Sequence, residues 1–261
     1  MTSELSPIVN TLILISAVLV PAIGWFGFYC ISMQTLPKKE HIYISTIVGS
    51  ILLGWLFLIM LLGMDGFFHF TRGRPIFPPM PNIIFGTILL ITGVSLLFFS
   101  PTFRKVIDAI PQHWMINIQV FRILGFIFVI LSTQQILPRA FATPAGWGDL
   151  FIGLTAPIVA HLYFSKKPGV NWIVLGWNFF GLGDLFLALT LGFLTSPGQF
   201  QRLAVDFPFT EFGQMGAFPL ILIPVYLVPF FILLHIYSLR QLSKAWCFSH
   251  EETILATNMT T

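Results

Sequence analysis

Long apolar runs, each bounded by a few polar or charged residues, recur along the whole chain. Seven of them reach or approach the roughly 20 residues that an α-helix needs to cross a bilayer. In order they are Ile8–Met33, Ile42–Met64, Ile83–Phe99, Trp114–Leu137, Ala145–Phe164, Asn171–Leu194 and Phe218–Leu239. The pattern predicts an all-α membrane protein, a bundle of about seven transmembrane helices, of which the third is the shortest.

The spans follow one another too closely to leave room for a second domain. We expect one transmembrane helical domain over residues 1–246, followed by a polar, disordered cytoplasmic tail over residues 247–261. Between spans three and four, Ser100–Gln112 predicts a short helix at the membrane interface.

The composition agrees with a membrane location. Hydrophobic residues make up 56% of the chain and charged residues only 9%, whereas soluble domains contain about 25% charged residues. The net charge of +3 is small and scattered. The lipid bilayer is therefore the expected partner and nucleic acid is not, while the sequence makes no prediction of an oligomeric state.

Basic residues are distributed unequally between the two ends of the predicted bundle. One end carries eight of them, Lys38, Lys39, Arg104, Lys105, Lys166, Lys167, Arg240 and Lys244. The other end carries four, Arg72, Arg74, Arg139 and Arg202. Because cytoplasmic loops are enriched in lysine and arginine, we expect the N-terminus outside and the C-terminus in the cytoplasm.

One hexapeptide occurs twice with a single change, once in span five and once in span six. It reads Gly-Trp-Gly-Asp-Leu-Phe ending at residue 151, and Gly-Leu-Gly-Asp-Leu-Phe ending at residue 186. Asp149 lies 17 residues before Lys166, and Asp184 lies 17 residues after Lys167. The two spans are joined by a short basic turn, so they should be antiparallel neighbours with both aspartates at one depth.

Small residues recur at helical spacing beside each aspartate. They are Gly146, Gly153, Ala156 and Ala160 in span five, and Gly181, Ala188 and Gly192 in span six. Such stripes let membrane helices approach closely, so we expect them to face each other with the aspartates between them. The pair would hold a proton, a cation or a cationic group of a ligand. The alternative is structural, with Asp149 as a helix cap.

Arg122 is the one basic residue well inside a predicted span. A guanidinium in lipid needs an anion, and Asp184 is the expected partner, either in a structural ion pair or in a site where Arg122 receives an anionic ligand. Gln119 lies on the same face as Arg122, and Asn178 on span six could reach the same cavity. These two side chains would supply neutral hydrogen bonds, with Trp177 a weaker candidate.

The histidines allow a second interpretation. His161 and His235 are predicted about one turn from the cytoplasmic ends of their spans, with His113 at the same level. Facing histidines could ligate haem or a metal, but the usual ligand spacings are absent. Interfacial histidines are preferred, and no cofactor and no metal are predicted. No lysine lies within a span, which excludes a retinal Schiff base of the microbial rhodopsin kind.

One resemblance covers spans four and five. It is carried by Arg122-x-x-Gly125, by Leu137-Pro138-x-x-Phe141-Ala142-x-Pro144-Ala145-Gly146-x-Gly148-Asp149, and by Gly153 and Ala156-Pro157. In these residues the chain resembles a family of small bacterial multi-spanning membrane proteins to which no activity is assigned. The resemblance implies a bacterial inner (plasma) membrane protein.

A second, shorter resemblance lies in span six. Gly181-x-Gly183-Asp184 is similar to an active-site motif of the GxGD intramembrane aspartyl proteases, which implies two carboxylates that activate water, with Asp149 as the partner. Gly148-Asp149 does not match the first motif of that family. The lysine expected soon after the second aspartate is also absent.

These patterns favour a non-enzymatic membrane protein over an intramembrane protease or a structural subunit without a ligand. We expect it to bind, and to transport or sense, a small polar molecule or ion in a cavity between spans four, five and six. The expected ligand-binding residues are Gln119, Arg122, Asp149, Asn178 and Asp184.

Overall fold

A computed structural model of the chain describes residues 5–69, 81–198, 200–209 and 215–258, and of residues 81 and 246–258 the backbone alone. Arg72 and Arg74, used in the prediction of orientation, lie outside these ranges. All regular secondary structure within the ranges is helical.

The helices follow the predicted spans in order. They are α1 (Pro7–Thr35), α2 (Lys38–Met64), α3 (Pro81–Phe99), α4 (Pro101–Ala109), α5 (Gln112–Ile118), α6 (Phe126–Thr133), α7 (Arg139–Phe164), α8 (Val170–Thr195) and α9 (Val228–Asn258). A 3₁₀ segment, Gln119–Gly125, joins α5 to α6, and a π-helical turn, Ile223–Leu227, precedes α9. Seven stretches of the described chain are long and apolar enough to cross a membrane, which confirms the predicted spans, including the third.

Span four is not a single regular helix. It runs from Gln112 to Thr133, and its middle third is the 3₁₀ segment. Runs of 3₁₀ helix longer than three or four residues are uncommon and often mark strained or functional places. This run has seven residues, and Arg122 lies at its centre.

Span seven is the central helix of the bundle. In its most apolar window, within Ile223–Ala245, 72% of the residues are buried, against 22–44% in the other six spans. Side chains around its whole circumference are therefore surrounded by protein. The helix continues to Asn258, so the predicted disordered tail is helical at least to that residue.

The short helix predicted after span three is present as α4. Ser100 caps it by accepting a hydrogen bond from the backbone N–H of Phe103 at 3.2 Å. Its apolar side, formed by Phe103, Val106 and Ile107, is buried. Because apolar residues recur at helical spacing and the other positions are polar, α4 is amphipathic and packs on the rest of the bundle through one side.

An ion cluster fastens α4 to α9. Asp108 accepts hydrogen bonds from Arg240 at 2.9 and 3.2 Å, and a further one from Lys244. Burial acts to raise the pKa of the Asp108 carboxyl, but the hydrogen bonds and charges of these two cations outweigh it and lower the pKa below its usual value. Asp108 therefore stays ionised across the neutral pH range.

The α7–α8 hairpin is antiparallel, as predicted, but its small residues have a different role. A Cβ added at Gly153 would collide with the backbone N of Ile123, and one at Gly146 would lie 2.9 Å from the carbonyl oxygen of Gly125. The stripe of α7 therefore faces span four. Gly181 of α8 faces His235 of α9. The expectation that the stripes face each other is therefore wrong for Gly146, Gly153 and Gly181, whereas Gly192 of α8 does face Phe141 of α7.

Candidate functional site

Arg122 binds both aspartates at once. Its Nε donates to Asp149 Oδ1 at 2.7 Å, and its Nη2 donates to Asp184 Oδ2 at 2.5 Å. Arg122 is 2% exposed, and Asp184 is buried as well. The spacing about the turn predicts that the two aspartates lie at one depth, and in the structure the guanidinium of Arg122 joins them. We call these three residues the ion triad.

The guanidinium has a third side-chain partner, which the sequence does not predict. His235 of α9 is 0% exposed, and its Nε2 lies 3.2 Å from Arg122 Nη1. For His235 the prediction of an interfacial position is wrong, because the predicted span ends at Leu239 whereas the helix continues well beyond it. His235 and Ser238, three residues apart in an otherwise apolar run, are the signal that could have identified this face.

The hydrogen bonds around His235 define its tautomer. Asn178 Nδ2 donates to the carbonyl of Val174 at 2.8 Å and to the hydroxyl of Ser238 at 3.0 Å. Its Oδ1 therefore faces His235 Nδ1 at 2.8 Å, so Nδ1 carries the hydrogen. Nε2 is then unprotonated and accepts from Arg122. His235 is neutral in this arrangement, and Asn178 reaches the ion triad through it.

These contacts exclude His235 as a ligand of haem or a metal, because both ring nitrogens are occupied by protein partners. His161 is exposed at the end of α7, and His113 packs on the ring of Phe164 with centroids 5.2 Å apart. In the described part of the chain, no group of three or more histidine, cysteine or acidic residues is arranged to hold a metal ion.

A polar column continues from His235 towards the end of the bundle where span four begins. Ser238 accepts a hydrogen bond from Gln112 Nε2 at 3.0 Å, and the Ser238 carbonyl accepts a second one at 3.1 Å. Gln112, Asn178 and Ser238 are all buried. The column links α5, α8 and α9 at the level where span four starts.

Gln119 does not join the ion triad. Its Nε2 donates to the carbonyl of Phe231 at 3.2 Å, and its Oε1 is buried without a hydrogen-bond partner among the described residues. Trp177, the weaker candidate, donates through Nε1 to the hydroxyl of Thr155 at 2.9 Å, and its ring packs on that of His235.

Glycines allow this close packing. A Cβ added at Gly148 would overlap the carboxylate of Asp184, and one added at Gly125 would overlap the side chain of Asp149. At Gly181 it would lie 2.5 Å from the imidazole of His235. Three helices thus approach the charged groups at positions where no side chain intervenes.

A small cavity adjoins the triad. Its volume is about 40 Å³, and its wall includes Ser16, Arg122, Asp149, Leu185 and Phe231. Spans one and seven border it together with spans four, five and six, whereas the sequence predicts only the last three. At roughly 10–15 Å³ for each water, it holds about three waters.

The charges of the site do not balance when both carboxylates are ionised. Asp149 and Asp184 contribute two negative charges, Arg122 contributes one positive charge, and neutral His235 contributes none. The triad then carries one net negative charge inside a membrane-spanning bundle. A net charge in this environment is costly unless it is compensated.

Comparison with known proteins places the site within one family domain. Residues 78–243 match the sequence profile of a domain of unknown function, DUF8737. That range contains spans three to seven and therefore every member of the triad. No curated protein and no solved structure matches the chain.

Proposed function

We propose that this chain, which belongs to the DUF8737 family, binds a proton or a small monovalent cation at the Arg122–Asp149–Asp184 triad, as part of transport or sensing across a membrane. The observation that carries the proposal is the unequal charge, because the buried Asp184 and the partly buried Asp149 share one guanidinium. A single positive charge at the triad restores neutrality.

The size of the cavity limits which ligands can bind at the triad. Sites for organic molecules usually have volumes of about 300–1,000 Å³, and the cavity beside the triad has about 40 Å³. Protons, water and small ions fit this space, and metabolites do not. Among the ligands that the sequence leaves open, ions are therefore favoured over larger polar molecules.

The protease interpretation receives less support from the geometry. Aspartyl proteases need two carboxylates that share a proton and activate a water, whereas here both carboxylates are bound to Arg122. In the Gly-x-Gly-Asp motif, Gly183 has open space where a side chain would lie. It therefore makes no close contact at the triad.

Protons or cations should raise the thermal stability of the protein through Asp184. The full chain would be placed in phosphatidylcholine nanodiscs, and its unfolding temperature measured between pH 5 and 8. At pH 8, the cation of the buffer salt would be changed from choline to Li⁺, Na⁺ or K⁺ at constant ionic strength. A ligand at 100 times its Kd stabilises by about 2.7 kcal/mol. In Asp184→Asn the triad is neutral, so this stabilisation should be lost.

Asp108→Asn is the matched control, since it removes a carboxylate that is also paired with cations but lies outside the triad. Because the pKa of Asp108 is lowered, its titration falls below the tested pH range, and the control should respond as the wild type does. Equal responses of wild type and Asp184→Asn to pH and to every cation would favour a structural role for the triad.

We also propose the orientation that the basic residues favour, with the N-terminus outside and the C-terminus in the cytoplasm of a bacterial cell, in its inner membrane. A reporter enzyme that works only in the cytoplasm should be active when it is fused after Lys244. One that works only outside the cytoplasm should be active when it is fused before Ile8. Both reporters giving the reverse result would invert the orientation, and agreement of the two ends would contradict seven spans.

A further inference from the structure

An open cavity lies at the turn between α7 and α8, 17 residues along the chain from each aspartate of the ion triad. Its volume is about 740 Å³, and its wall includes His113, Tyr163, Lys166, Lys167 and Trp172. Lys166 and Gly169 both have positive φ, 49° and 73°. Both residues therefore have a left-handed backbone conformation in this turn. Both lysines border the same cavity.

Among the residues that the structure describes, none provides a counter-charge for the two lysines. Neither ammonium group makes a hydrogen bond or ion pair with any residue that the structure describes. No acidic residue borders the cavity, and none lies in the first turn of α8. The cavity is therefore complementary to an anion.

The other lysine pair at this end of the bundle is different. Lys38 and Lys39 begin α2, and Glu40 follows them in the first turn of that helix. Neither of them borders the cavity. The Lys38–Lys39 pair therefore carries as many positive charges as the Lys166–Lys167 pair but does not border this cavity.

Aromatic side chains indicate the depth of the cavity. Phe164 at the end of α7 is 66% exposed, and Trp172 at the start of α8 is 69% exposed. Exposed aromatic rings at the ends of spans lie at the level of the lipid headgroups. An anion at this level is most abundantly a lipid phosphate, held next to the cavity by its acyl chains.

We propose that the cavity binds the phosphate headgroup of an anionic phospholipid between Lys166 and Lys167. The lysines neutralise the phosphate, and the aromatic side chains contact the glycerol and the upper acyl chains. The site is independent of the ion triad, so either proposal can fail without the other.

Native mass spectrometry of the purified full chain tests this proposal. The protein would be titrated with dioleoyl phosphatidylglycerol and, separately, with dioleoyl phosphatidylcholine, and the Kd of the first bound lipid determined. Each basic residue near the membrane surface contributes about a fivefold gain for anionic lipid. We expect wild type to prefer phosphatidylglycerol by roughly ten- to thirtyfold, and Lys166→Gln/Lys167→Gln to lose that preference.

Two further variants make the result specific. Lys38→Gln/Lys39→Gln removes the same charge elsewhere and should keep the preference, and Lys166→Arg/Lys167→Arg should keep it because the charge stays. Equal losses in the two glutamine variants would show diffuse charge attraction and overturn the site. Displacement of the bound lipid by millimolar inorganic phosphate would identify a free-anion site and overturn the assignment to lipid.

Discussion

Replacement of Arg122 by alanine is expected to remove most of the folded protein from the membrane. The change leaves the buried carboxylate of Asp184, the partly buried carboxylate of Asp149 and the acceptor nitrogen of His235 without their common donor. Removing one partner of a buried ion pair costs about 3–5 kcal/mol. The yield of monodisperse protein in size-exclusion chromatography and the unfolding temperature would both fall.

Further substitutions in the Arg122→Ala variant can show whether the guanidinium supports both aspartates or only one of them. Arg122→Ala with Asp184→Asn should recover part of the yield, and adding Asp149→Asn should recover more, because both carboxylates depend on Arg122. The matched control is Arg240→Ala, which breaks a partly exposed pair with Asp108 and should cost about 1 kcal/mol or less. Strictly additive losses for Arg122 and the two aspartates would contradict the triad.

Gly148→Ala is expected to separate α7 from α8 at the triad. The added Cβ would overlap the Asp184 carboxylate, so the carboxylate must move away from Arg122 or the helices must part. Overpacking of a tight interior costs about 1–3 kcal/mol, and the weakened ion pair adds to this loss. The cation response of the unfolding temperature should also disappear, as in Asp184→Asn.

Gly183→Ala is the control, since a Cβ there meets nothing within 4 Å. It should be neutral or stabilise the helix by up to about 1 kcal/mol. The same variant separates two interpretations of the Gly-x-Gly-Asp motif. If Gly183 belonged to a protease site, the alanine would impair function as strongly as Gly148→Ala, and that outcome would contradict the site described above.

The sequence predicts those features of the fold that depend on the length of apolar runs and on short connections. Seven spans follow from the runs, and the common depth of Asp149 and Asp184 follows from their equal distance from the turn. The pairing of Arg122 with an aspartate follows because a buried cation needs an anion. Each of these inferences uses a property that a single residue or segment carries by itself.

The remaining features depend on contacts between segments. The 3₁₀ form of span four has no local signature in Gln119–Gly125, and it packs where Gly146 and Gly153 of α7 let span four approach. The sequence predicts His235 near the end of its span, where it is not. Hydropathy does not show where the span ends, because α9 continues beyond it as a polar helix. Span one enters the cavity through Ser16 and apolar side chains, which carry no charge to reveal their role.

The 3₁₀ segment makes span four longer than an α-helix of the same sequence. A 3₁₀ helix rises about 2.0 Å per residue and an α-helix about 1.5 Å, so the seven residues of Gln119–Gly125 gain about 3.5 Å. That length exceeds a hydrogen bond. Arg122 lies in the middle of this lengthened segment and is bound to Asp149 of α7 and Asp184 of α8. The extra length of span four and the two ion pairs therefore occur at the same level of the bundle.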